Sequence, residues 1–404
     1  MLPHLAADRA LLLDFDAEIA DVHKTLDSLV AKRATRATVQ ARLSAYAYPV
    51  QTLPDEIVSE IFLNYLPPYP ICPPLFEKGS PTTLTQICAL WRQIAHKTPG
   101  LWRAIEVLVV SSKVYTAARQ LTELATWVQR SRSLPLSVLV GEPSDDADLT
   151  SVLGVLLPHR DRLEYFGIDY FAFPLQDTKI EIEGLFPALR ILDVRAPGSS
   201  PVGRLIGPLV TPRLTTALLD LCDALQLNWF LDLLPWAQLT RLSLRFVTPY
   251  DAARILPLAP NLEFCRVIFP RANSDEPAAP LPDVPQASVK LPILRALLVA
   301  TLDTTPKEDV YRLLLALRLP ALKKFYITED EWSDALVGDA PLRGMIDSFS
   351  CQLDELHVVA TDEAIKLYRV ALPSIPTIEA LDDGGSGWGD KRWDLFELHG
   401  SQQN

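Results

Sequence analysis

One spacing recurs from residue 163 onward: an apolar residue, two free positions, a second apolar residue, one free position and a third apolar residue. The copies are LEYFGI from Leu163, LRILDV from Leu189, LTRLSL from Leu239, LEFCRV from Leu262, LRALLV from Leu294, LKKFYI from Leu322 and LDELHV from Leu353, with a weaker LTTALL from Leu214. In chain order their first residues are separated by 26, 25, 25, 23, 32, 28 and 31 positions. The alternation at the end of each copy is that of a short strand with one buried face. A unit of this size buries that face only by stacking on its neighbours.

The period is that of leucine-rich repeats with insertions. Most copies are introduced by a proline, at Phe186-Pro187, Thr211-Pro212, Leu234-Pro235, Ala259-Pro260, Leu291-Pro292 and Leu319-Pro320. Proline there can fix the turn into a strand without breaking a ladder. Beyond the core, the place where regular repeats carry Asn or Cys reads Phe171, Pro197, Val247, Pro270, Leu302, Asp330 and Thr361. No asparagine ladder runs through such a stack, so irregular curvature and variable convex elements are expected.

Alternation turns the residues between the apolar positions outward, onto a concave face. Arg195, Arg241, Arg245 and Arg266 fall there on neighbouring or near-neighbouring strands, together with Phe264, Tyr326 and His357. Arginine forks suit carboxylate and phosphate, and the aromatics offer apolar anchors. The expected ligand of this face is therefore a protein segment that is acidic or phosphorylated. The competing reading pairs the arginines with Asp193 or with loop acids.

Ahead of the repeats, residues 8 to about 46 hold neither Gly nor Pro and read as one long helix. Leu12, Phe15, Ile19, Val22, Leu26 and Leu29 recur at alternating steps of three and four, a heptad seam that weakens through Arg33, Arg36 and Gln40. Its acids precede its bases, as the helix dipole prefers. Two readings fit: a short coiled coil, antiparallel if acidic and basic halves meet, or a helix laying its stripe on its own protein. Pairing over about three heptads is marginal.

In LPDEIVSEIFLNYL, residues 53–66, Thr52 and Asp55 stand at capping-box spacing with Pro54 in the first turn. Ile57, Ile61 and Tyr65 form one face, with Val58 and Phe62 beside it. PPYPICPPLFEKGSP, residues 67–81, reads as a loop. Leu84, Ile87, Cys88, Trp91, Ile94 and Ala95 share the stripe of a second helix, and Leu101, Trp102 and Ile105 make a third apolar element. Short helices with this much apolar face bury poorly against one another alone, so part of that surface is expected to meet a partner.

LPDEIVSEIF, ICALWRQIA and TPGLWRAI together resemble an F-box domain, in the form expanded in fungi, where a heptad-bearing helix precedes the box. WVQRSRSLPLSVLV, residues 127–140, is similar to the segment that follows it, so the resemblance covers roughly residues 8–140. The Pro-rich loop at 67–81 departs from the group by its length. The resemblance implies a function without an active site: binding a Skp-type adaptor within a cullin–RING (SCF-type) ubiquitin ligase, and presenting a protein substrate on a second domain. Adaptor contact then falls on Leu53, Pro54, Ile57, Ile61, Trp91 and Trp102, each of which also reads as ordinary helical core. The alternative is a non-ligase repeat scaffold that self-associates through the N-terminal helix.

Composition narrows the remaining classes. With 49% hydrophobic and 22% charged residues the chain can bury a sizeable core. A net charge of -12 argues against nucleic acid as the partner. The start lacks the pattern of a signal peptide, and no apolar run reaches the length of a membrane span. Cys72, Cys88, Cys222, Cys265 and Cys351 are scattered, which fits free thiols in a cytoplasmic or nuclear protein. GGSGWG at 384–389 lacks the Lys-Ser/Thr of a phosphate loop, Asp145, Asp146 and Asp148 fit no metal loop, and the histidines stand apart from any nucleophile. No enzyme activity and no cofactor is expected. The expected architecture is α/β: a long helix at 8–46, a small helical F-box at 50–107, an irregular leucine-rich-repeat solenoid at 113–382, and a tail or cap at 383–404 that covers the last repeat or binds a ligand.

Overall fold

The computed structural model describes residues 3–45, 52–108, 116–141, 149–169, 182–196, 206–221, 231–269, 288–301, 307–328, 340–359 and 361–380. The acids at 145–148, most of the Pro-rich stretch 270–290 and the tail from 383 lie outside these residues. The chain is mixed α/β, with a long N-terminal helix and a large parallel sheet. It divides into two compact units, residues 1–61 and 62–404.

The first unit holds α1 (Pro3–Ala45) and the start of α2 (Asp55–Tyr65). α2 begins one residue after Pro54, whose carbonyl accepts the Val58 amide at 3.1 Å. Asp55 and Glu56 fill its first turn, where carboxylates oppose the positive end of the helix dipole.

In the second unit, the single helix expected around Trp91 is two. α3 (Pro81–Ile87) and α4 (Ala89–Lys97) are separated by Cys88, which is extended at φ −154° and ψ 170°. Thr82, Thr83, Thr85 and Ile87 make α3 a weak helix former. Cys88 ends it, and the Cys88 Sγ accepts the Trp91 amide at 3.4 Å to open α4. Ser80 caps α3 by accepting the Thr82 amide at 3.1 Å, with Pro81 at the first helical position. A 3-10 turn at Pro99–Trp102 leads into the sheet.

Among the described residues the main sheet has eleven strands, every neighbouring pair parallel, and its spatial order is its chain order. They are β1 (Ala104–Leu108), β2 (Leu136–Gly141), β3 (Leu163–Asp169), β4 (Ile191–Ala196), β5 (Thr216–Leu221), β6 (Arg241–Arg245), β7 (Phe264–Phe269), β8 (Ala296–Thr301), β9 (Lys324–Thr328), β10 (Glu355–Val359) and β11 (Thr377–Ala380). Parallel neighbours need a crossover. The crossovers vary: α5 (Ala117–Arg130), α6 (Leu149–Leu156), α7 (Pro249–Ile255), α8 (Lys307–Ala316), α9 (Ala340–Phe349) and α10 (Asp362–Ala371) occupy some of them. Two-stranded pairs, Ile182–Leu185 with Ile206–Val210 and Val289–Lys290 with Leu317–Arg318, join segments of successive crossovers.

β3 to β10 are the eight copies of the repeated spacing. Each copy's three apolar positions are buried, none more than 3% exposed, from Leu163, Phe166 and Ile168 to Leu353, Leu356 and Val358. Full burial of such a side chain contributes roughly 1.5–3 kcal/mol, so the repeat is the core. Five of the prolines act alike. The first apolar residue of a copy returns its amide to a carbonyl three back: Leu189 to Phe186 at 3.3 Å, Leu214 to Thr211 at 3.2 Å, Leu262 to Ala259 at 3.4 Å, Leu294 to Leu291 at 3.4 Å and Leu322 to Leu319 at 3.0 Å. Pro187, Pro212, Pro260, Pro292 and Pro320 stand second in these turns, where a fixed φ near −65° is required. Pro235 instead precedes a 3-10 turn at Trp236–Gln238.

The sheet extends past the expected copies at both ends. WRAIEV repeats the spacing with Trp102, Ile105 and Val107, all buried, so the end of the segment resembling an F-box is also the first unit of the sheet. IPTIEA repeats it weakly with Ile375 and Ile378, and β11 closes the far edge. β2 hides because its register shifts between Leu136 and Ser137, which removes one residue from the spacing.

The Pro-rich loop bridges the edge of β1 and packs on the outward face of β2 and β3. Pro74 bridges Glu106, whose amide donates to the Pro73 carbonyl at 2.8 Å. Ser137 Oγ donates to the Pro70 carbonyl and lies 3.2 Å from Cys72 Sγ. Tyr69 donates to Glu164 at 2.7 Å. Leu75 is buried, and Cys72 packs against the cluster of Leu139, Tyr165 and Leu218.

Candidate functional site

α2 carries two apolar faces. Val58 and Phe62 are buried, whereas Leu53, Ile57 and Ile61, spaced by four, are 37%, 48% and 45% exposed. Pro54 is exposed beside them in sequence. Trp91 is half-buried, its ring edge-on to Phe62 with centroids 4.9 Å apart. Trp102 is interior: it is 1% exposed, its Nε1 donates to the Ala95 carbonyl at 2.8 Å, and its ring meets Trp127 edge-on at 5.2 Å. The Arg130 guanidinium lies 4.5 Å from its centroid. Its burial favours the core reading of Trp102 over adaptor contact.

The pairing register sorts the outward residues of the sheet into rows. Arg241 lies opposite Phe264 in the row nearest the strand starts. Arg266, Tyr326 and His357 share the middle row, with Ser243 and Leu298 among them. Arg195 and Arg245 share the third row, separated by Asp220. Asp169, Arg195, Asp220 and Arg245 therefore alternate in sign across β3, β4, β5 and β6. Arg195 contacts Asp169 at 2.9 Å and Asp193 at 3.3 Å, and Tyr165 donates its hydroxyl to Asp193 at 2.9 Å. Arg245 lies 4.0 Å from Asp220. Burial alone would lower the Arg195 pKa, but Asp193 and Asp169 together hold it above the ordinary value. Burial and Asp193 push the Tyr165 phenol well above its usual range.

This arrangement favours the competing reading, in which the arginines pair with neighbouring acids, Asp193 among them. Arg195 and Arg245 are partnered by carboxylates, and Arg266 is 1% exposed. Phe264 and Tyr326, expected as accessible anchors, are buried, Tyr326 in a cluster with Ile268, Leu298 and Ala300. β8 is apolar on both faces and β7 is so apart from the buried Arg266, the composition of strands covered on both sides. His357 stacks on Tyr326 at 4.5 Å and 7°, and its ring nitrogens lie 3.4 Å from Glu355 and 3.7 Å from Glu379.

Arg241 belongs to a different surface. A cleft of about 390 Å³ opens along the starts of β3 to β6, lined by Tyr69, Pro70, Glu164, Tyr165, Arg190, Ile191, Thr215, Thr216, Thr240 and Arg241. The docked loop supplies one wall, where the Arg103 guanidinium lies 3.3 Å from the Tyr69 centroid. A second hollow, of about 420 Å³, shares Glu164, Arg190 and Thr215 and adds Arg213. Burial lowers the Arg241 pKa, an effect that Glu263 partly opposes. Arg190 touches Glu164 at 3.6 Å and is largely exposed, so that contact is worth only about 0–1 kcal/mol and yields readily to a better anion. Arg190 and Arg213 carried no signal in the repeated spacing, because they stand just outside its alternating positions.

Among the described residues, no group of three or more His, Cys, Asp or Glu side chains could hold a metal ion, and no helix is long and apolar enough to cross a membrane. No protein-family model and no curated protein matches the chain.

Proposed function

We propose that this chain is the substrate-recognition subunit of an SCF-type ubiquitin ligase, binding a Skp-type adaptor and through it a cullin. The observation that carries the reading is the division of α2 into a buried face at Val58 and Phe62 and a separate exposed stripe at Leu53, Ile57 and Ile61. An isolated helix end in a self-sufficient core has no use for the second face. The resemblance to the F-box motif assigns that stripe, with Pro54, to the adaptor. Parallel strands in chain order, each entered by a similar turn, support reading the sheet as an irregular leucine-rich-repeat solenoid.

The protein substrate is a segment that is acidic or phosphorylated, and it docks in the cleft at Arg190 and Arg241. Two guanidinium forks in one cleft suit a carboxylate or phosphate group. The test is co-purification of the full chain with a Skp-type adaptor, wild type against Ile57→Asp with Ile61→Asp. Stoichiometric adaptor on the wild type and none on the variant supports the ligase reading. A wild-type chain that captures no adaptor leaves the non-ligase scaffold.

A further inference from the structure

We propose that α1 is one strand of an antiparallel coiled coil, and that the other strand is α1 of a second copy of this chain. The inference goes beyond the ligase reading and holds whether or not α2 binds an adaptor. Leu12, Phe15, Ile19, Val22, Leu26 and Leu29 are between 52% and 62% exposed, so the whole apolar seam is open along α1. Such a stripe on a single helix is covered in water by another helix with a matching seam.

Charge decides which helix and which direction. Residues 8–21 carry Asp8, Asp14, Asp16, Glu18 and Asp21 against Arg9 alone. Residues 24–42 carry Lys24, Lys32, Arg33, Arg36 and Arg42 against Asp27 alone. One half of α1 thus has the complementary charge of the other half, of equal size and opposite sign. An antiparallel pair brings Lys24, Lys32 and Arg33 of one copy alongside the acidic half of the other. A parallel pair sets like on like along the whole length.

The seam fixes the register as well. When Leu12 faces Leu29, Phe15 faces Leu26 and Ile19 faces Val22, the two-fold axis repeats each contact and every apolar layer is filled. The next seam positions outward are Asp8 and Arg33, and the same register sets Asp8 of one copy against Arg33 of the other at both ends. In a parallel pair those layers are Asp8 on Asp8, Arg33 on Arg33 and Arg36 on Arg36. The arginines that weaken the seam as a hydrophobic stripe therefore specify its direction.

The test is the mass of the full chain by light scattering at micromolar concentration. A dimer is expected, and Ile19→Asp with Leu26→Asp should return the monomer. Asp8→Arg alone and Arg33→Asp alone should each weaken the dimer roughly tenfold, because two repulsive contacts replace two attractive ones. The two changes combined in one chain should restore it, since the reversed pair is again complementary. In a parallel pair, Asp8→Arg merely trades one like-charge layer for another. A monomer throughout, a dimer indifferent to the seam variants, a mass above the dimer, or the absence of rescue would each overturn the proposal.

Discussion

Arg195 on β4 holds Asp169 on β3 at 2.9 Å, and the same guanidinium reaches Asp193 on its own strand at 3.3 Å. Tyr165 completes the group through its 2.9 Å hydrogen bond to Asp193. Asp193 is 2% and Arg195 8% exposed, so neither charge is solvated enough to stand alone. The group lies on the outward face of β3 and β4, beside the cleft, and orients the Tyr165 ring that lines it.

Removing one partner should therefore cost stability. Arg195→Ala leaves two carboxylates on a largely buried face, and we expect a loss of about 3–5 kcal/mol. Arg245→Ala, whose contact with Asp220 is 4.0 Å and whose side chain is more exposed, should cost less. Urea unfolding curves of the two variants measure the difference. Equal costs would mean that the Arg195 network is not a unit.

The repeats were legible because a parallel strand buried on one face announces itself every second residue. The same rule leaves the arginines open between a ligand and the acids beside them, because Asp220, which faces Arg245, sits in LTTALL, the weakest copy. With Asp220 in place the third row alternates in sign, and a basic patch becomes a neutral ladder. β1 was missed for another reason. WRAIEV fits the repeat as well as the F-box ending, and Trp102 serves the sheet core whichever label it carries. The cleft was illegible because its wall comes from Tyr69 and Pro70, whose docking depends on contacts about 95 residues apart in sequence, such as Tyr69 with Glu164. The break at Cys88 lay hidden under a helical stripe that continues across it.

The exposed stripe and the buried indole should separate in experiment. Leu53→Ala with Pro54→Ala should abolish adaptor binding and leave thermal unfolding nearly unchanged. Trp102→Ala should instead unfold the helical segment and loosen β1, since emptying a buried Trp site costs about 3–5 kcal/mol. Pull-down of a Skp-type adaptor, read beside circular dichroism, checks both. Wild-type adaptor capture by the double variant would remove that edge from the contact surface.

Cys265 gives the fold a dependence on alkaline pH. Its thiol is wholly buried on β7, and burial pushes its pKa from 9.0 up to about 12. The folded value is raised, so the contribution is complete below the unfolded pKa and is lost as pH climbs from about 9 to about 12. While that loss proceeds, its slope is about 1.4 kcal/mol per pH unit. Cys265→Ala should be less stable than wild type near neutral pH, and the gap should narrow as pH rises. Urea midpoints at about pH 7 and about pH 10 test this, and parallel curves would assign the alkaline loss to other groups.

The cleft is where the proposed substrate reading is most exposed to failure. Arg190→Glu with Arg241→Glu replaces both forks by carboxylates while leaving the Arg195 network and α2 untouched. We expect loss of substrates in proximity labelling with the ligase inhibited, and unchanged adaptor capture. Binding that depends on paired arginines should also weaken steeply as salt rises, because exposed charges are screened. Reversal at Arg245 serves as the comparison, since its guanidinium already faces Asp220 and is not among the residues lining the cleft. If Arg245→Glu releases substrates and the Arg190/Arg241 variant does not, recognition lies on the third row instead. If adaptor capture persists and neither variant changes the substrate profile, the ligase reading survives and the cleft is not its docking site.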